Sequence, residues 1–132
     1  MPNLSIELQA FLAVANLANP IPPYIVTYDF GNPTLQGTSS YFDPYFQATT
    51  GGVAVPLPAT PVFCVFIQNV TSTAVILQIA VTPTGGAPQN YLLGQQGLWM
   101  YSDPSETSGD GISAITLTGL VSTASAMVFV GG

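Results

Sequence analysis

Apolar and polar side chains alternate along this chain with a period of two, which is the pattern of half-buried strands. The alternation is clearest over residues 74–81. Val75, Leu77, Ile79 and Val81 fall on one face there, and Ala74, Ile76, Gln78 and Ala80 on the other. The segment before it, 62–68, reads Val-Phe-Cys-Val-Phe-Ile-Gln and is apolar on both faces. Such a strand lies inside a sheet and is covered twice, by a second sheet and by another subunit or loop. The polar run 69–73 predicts a short hairpin connection between these two strands. Over 112–118, Ile115 and Leu117 point inward and Thr116 and Thr118 outward; 119–123 then turns the chain into a last strand, 125–130. Two shorter strands, 90–93 and 97–101, are expected around the turn Gly94-Gln95-Gln96-Gly97.

The N-terminal half gives two further strands, 24–30 and 41–49, separated by a turn-rich loop over 31–40. Over 3–15, Leu4, Ile6, Leu8 and Ala10 alternate with Ser5, Glu7 and Gln9. A helix is the alternative, because Leu4, Leu8, Phe11, Leu12 and Ala15 share a helical face, but alternation from the start favours a strand. Pro56, Pro58 and Pro61 make 56–61 an extended connector, since proline cannot donate to a ladder. These elements predict an all-β fold of about 8–10 short strands. An antiparallel β-sandwich, jelly-roll-like, in a single domain 1–132 is expected, with residues 1–23 as an extended arm or long edge strand.

Charge narrows the function. The chain has no Lys, Arg or His, and six acids give it a net charge of −6. Nucleic-acid binding needs cations to displace counterions, so none is expected. Anionic membrane surfaces are poor partners for the same reason. Ser-His and Cys-His catalysis, lysine Schiff bases and P-loops are excluded outright. No window is apolar for long enough to span a bilayer as a helix. The run 8–28 is broken by Asn16, Asn19, Pro20, Pro22 and Pro23. Without a positive N-terminal region, a soluble protein lacking a targeting segment is expected. Lysine is also the usual guard of exposed sheet edges. Its absence points to edges covered by assembly, hence to a homo-oligomer.

Few groups remain for chemistry, and no enzyme and no cofactor are expected. Asp103, Glu106 and Asp110 are weak candidates for calcium in the segment 102–111, but the EF-hand spacing is missing and a solvated loop is the preferred reading. Asp29 and Asp43 can be imagined as a glycosidase pair. Asp43-Pro44 reads better as a turn or bulge, with Tyr41, Phe42, Tyr45 and Phe46 alternating between core and surface. Those aromatics, with Trp99 and Tyr101, can stack on sugars, although packing is the commoner use. Cys64 reads as an inert core thiol. Pro20-Ile21-Pro22-Pro23-Tyr24 resembles a polyproline ligand but is read as a connection. The sequons at Asn3 and Asn69 are read as chance. The residues expected at interfaces are Val62, Cys64, Phe66, Tyr41, Phe42, Tyr45, Phe46 and Trp99.

From residue 49 to the end, the chain resembles small β-rich virion proteins of tailed bacteriophages. The resemblance rests on Val65-Phe66-Ile67-Gln68-Asn69, on 74–81, on 92–99 with its glycine turn, on Ile112-Ser113-Ala114-Ile115-Thr116-Leu117 and on Val128-Phe129-Val130. The opening Asn3-Leu4-Ser5-Ile6-Glu7-Leu8 is similar as well. It implies a non-enzymatic, capsid-associated decoration, vertex or minor capsid protein that assembles with itself and with a major capsid or tail protein. A tail or fibre component and a carbohydrate-binding or adhesive module are the alternatives. Lack of every basic residue departs from many such proteins and puts in doubt any role that touches packaged DNA, so a position on the outer surface of capsid or tail is expected.

Overall fold

The computed structural model describes residues 5–10, 24–29, 40–58, 62, 64–102 and 111–131, and all regular structure among them is β. The chain divides into two compact units, Met1–Thr34 and Leu35–Gly132. In the first, β1 (Ser5–Ala10) pairs antiparallel with β2 (Tyr24–Asp29), Ser5 opposite Asp29 and Ala10 opposite Tyr24. The strand expected over 3–15 is thus seen over 5–10. Asn3, residues 11–23 with their prolines, and 31–39 lie outside the described residues.

The second unit is an antiparallel β-sandwich. Its strands are β3 (Ser40–Ala48), β4 (Val53–Ala54), β5 (Cys64–Asn69), β6 (Leu77–Pro83), β7 (Gln89–Leu93), β8 (Leu98–Ser102), β9 (Ile112–Gly119) and β10 (Ala124–Gly131). One four-stranded sheet has the order β3-β10-β5-β8 and the other β4-β9-β6-β7. The pairing is nested. Counted in chain order within this unit, the first strand pairs with the eighth, the second with the seventh, the third with the sixth and the fourth with the fifth.

The core lies between the sheets. Val65 and Ile67 on β5 and Val128 and Val130 on β10 meet Leu77 and Ile79 on β6 and Ile115 and Leu117 on β9. Each such fully buried aliphatic side chain stabilises the fold by about 1.5–3 kcal/mol. The face expected from 74–81 is the buried one: Val75, Leu77, Ile79 and Val81 are all buried, although β6 begins only at Leu77. Val75 is bent out of the ladder, its N–H donating to Thr73 O.

The expected hairpins are replaced by crossings between sheets. Segment 69–73 links β5 to β6 in the opposite sheet, and β7–β8 and β9–β10 cross likewise. Among the described residues of this unit, only β6 and β7 are both consecutive and paired. The cause is local at the end of β5. Asn69 N–H donates to Gly97 O and Asn69 O accepts from Gln96 N–H, so β5 continues onto the β7–β8 link and not onto β6. Gly119 ends β9 at the crossing to β10. A Cβ there would collide with Ser122 O and lie 2.9 Å from Ala48 O.

Candidate functional site

The two sheets differ on the faces they turn away from the core. In β3-β10-β5-β8, Phe42 opposes Phe129, Phe129 opposes Phe66, and Phe66 opposes Met100. Residues directly opposite share a face. The flanking Val65, Ile67, Val128 and Val130 fill the core, so this row of four lies on the outer face. At about 4.8 Å per strand spacing it runs ~14 Å across the whole sheet. The next row holds Met127, Gln68 and Leu98. Phe42 is 59% exposed, Tyr45 74% and Leu98 40%, while Phe66, Phe129, Met100 and Met127 are half-buried. The outer face of β4-β9-β6-β7 is different: Ala54, Thr116, Ala80 and Asn90 form one row and Thr118, Gln78 and Leu92 another. The first outer face carries an aromatic and methionine row, whereas the second mixes hydroxyl and amide side chains with the exposed Ile76, Leu92 and Leu120.

The bulge expected at Asp43-Pro44 is present. Asp43 opposes Val128 and Phe46 opposes Ala126, which leaves Pro44 and Tyr45 facing Met127 alone. Proline is tolerated because β3 is an edge strand and the bulge needs no N–H from it. Asp43 Oδ1 accepts from Tyr45 N–H at 2.8 Å, and Oδ2 from the Tyr41 hydroxyl at 3.4 Å. Partial burial, then the charge of Asp43 and this hydrogen bond, push the Tyr41 phenol above its ordinary range. The aromatics alternate as expected: Phe42 and Tyr45 are exposed, Phe46 is buried and Tyr41 packs onto the core.

Trp99 lies on β8, its ring centroid 5.4 Å from Tyr91 and 6.5 Å from Tyr101. Trp99 and Tyr101 oppose the core residues Ile67 and Val65 and pack on the core with them. This ladder lines the flank where β7 and β8 form the edges of the two sheets. The Tyr41–Phe46 group is on β3, the other edge of the same sheet as β8, with β10 and β5 between. The fold therefore does not gather the two aromatic groups into one sugar platform.

Of the remaining expected interface residues, Val62 and Cys64 are buried within the chain and Phe66 is in the apolar row. Burial pushes the Cys64 thiol up, against a smaller opposing effect of a backbone hydrogen bond from Gly131. That suits an inert thiol, since the thiolate is the reactive form. Asn69 is fully buried and its side chain makes three hydrogen bonds: Nδ2 donates to Val75 O at 2.8 Å and Leu93 O at 3.1 Å, and Oδ1 accepts from Thr71 N–H at 3.1 Å. It is no glycan acceptor in the folded state. Asp103, Glu106 and Asp110 lie outside the described residues, and among the described ones no group of three His, Cys, Asp or Glu can hold a metal. Asp29 stands on β2 of the first unit and Asp43 on β3 of the second. The outer apolar row was hidden in the sequence because its members come from four strands whose register no local pattern gives.

No protein-family model matches the chain, and no curated protein does.

Proposed function

We propose that this chain is a non-enzymatic structural protein of a bacteriophage virion, acting by oligomeric assembly on the outer surface of the particle. The observation that carries this reading is the nested pairing of the eight sandwich strands, first with last and inward to the fourth with fifth. We read this nested order as jelly-roll-like, after an architecture used by viral capsid and lectin domains. Fold alone leaves function open, and the composition supplies the choice. With no cationic side chain, the chain is unfit for the genome side of a shell and fit for its exterior. Capsid decoration or a vertex position fits best, with a major capsid protein as neighbour. A tail position uses the same surfaces.

A carbohydrate-binding module is the second reading, favoured by the Tyr91–Trp99–Tyr101 ladder. Saturable quenching of Trp99 fluorescence by a glycan would support it.

Mass spectrometry of purified particles tests the first reading. Trypsin has no Lys or Arg to cut here, so the digest must use chymotrypsin or a glutamate-specific protease. Peptides of this chain should appear in the symmetric copy numbers of a shell or tail component. Their absence from particles, with abundance in infected cells, would refute the reading.

A further inference from the structure

We draw no further inference here: the strongest candidate, the edge strand β7 at the end of its sheet, paired on one side by β6 and without the proline bulge of the β3 edge, carries nothing because nothing in the structure shows what covers its open side.

Discussion

Replacing Asn69 should destabilise the sandwich more than any substitution on its surface. The side chain is fully buried at the point where β5 leaves its sheet, and its three hydrogen bonds tie the β5–β6 link, through Val75 O and Thr71 N–H, to the end of β7, through Leu93 O. Asn69→Ala deletes the amide and leaves two carbonyls and one N–H without that partner. Each buried polar group so stranded costs about 1–3 kcal/mol, so the sum is about 3–5 kcal/mol after partial relaxation. That is a large share of the ~5–15 kcal/mol that holds a domain folded. With a urea slope of about 2 kcal/mol per molar, the midpoint should fall by about 2 M at constant slope. Trp99 packs on the core and serves as the fluorescent reporter. Asn69→Asp is the sharper variant. It keeps the shape and the acceptor for Thr71, but loses both donors and sets a carboxylate against two carbonyl oxygens. It should be worse than alanine at neutral pH and recover partly in acid, where protonation returns one donor. A loss below about 1 kcal/mol for alanine, or an aspartate variant as stable as wild type, would refute the role given to this amide.

Further outcomes follow from other residues. The Cys64 thiol is raised by burial, so its contribution to stability is complete below its ordinary value of 9.0 and is lost as pH climbs past it. Tyr41, raised likewise, adds to the loss above 10.0. Urea midpoints should therefore fall in alkali, and Cys64→Ala should flatten the fall that begins near 9.0; an unchanged profile contradicts the assignment. Native Cys64 should also react slowly with a thiol reagent, and at the ordinary rate once unfolded. Gly119→Ala forces a methyl group against Ser122 O and Ala48 O. It should cost about 2 kcal/mol or more, read as a lowered melting temperature. Added salt should leave self-association unchanged or strengthen it, because identical subunits of net charge −6 only repel. Dissociation by salt in sedimentation runs would mean that ion pairs hold the oligomer.

Alternation made the inward faces legible wherever one side of a strand meets the core. Val75 to Val81, and Ile115 with Leu117, point inward as their spacing predicts. The bulge at Pro44 was legible too, because a proline amid aromatics on a strand has few other places to be. Pairing was not legible. Period-two patterns tell which way a side chain points and nothing about which strand lies alongside. Nested pairing joins β3 to β10 and β4 to β9 across most of the unit, so reading short links as hairpins misplaces three of them. The apolar row shares that limit: Phe66 suggested a strand covered twice, but only the register shows Phe42, Phe129 and Met100 beside it. Asn69 was passed over because a polar residue next to Val70-Thr71-Ser72 looks like turn material. Two of its partners, Thr71 N–H and Val75 O, are local, but its burial also needs Leu93 O from the end of β7 and the second sheet closing over it.

A density map of the intact particle tests the central claim most directly. The account predicts the eight-stranded sandwich repeated by symmetry on the outer surface of the capsid or tail. A particle map without this sandwich, or one that places it against the packaged genome, would contradict the account.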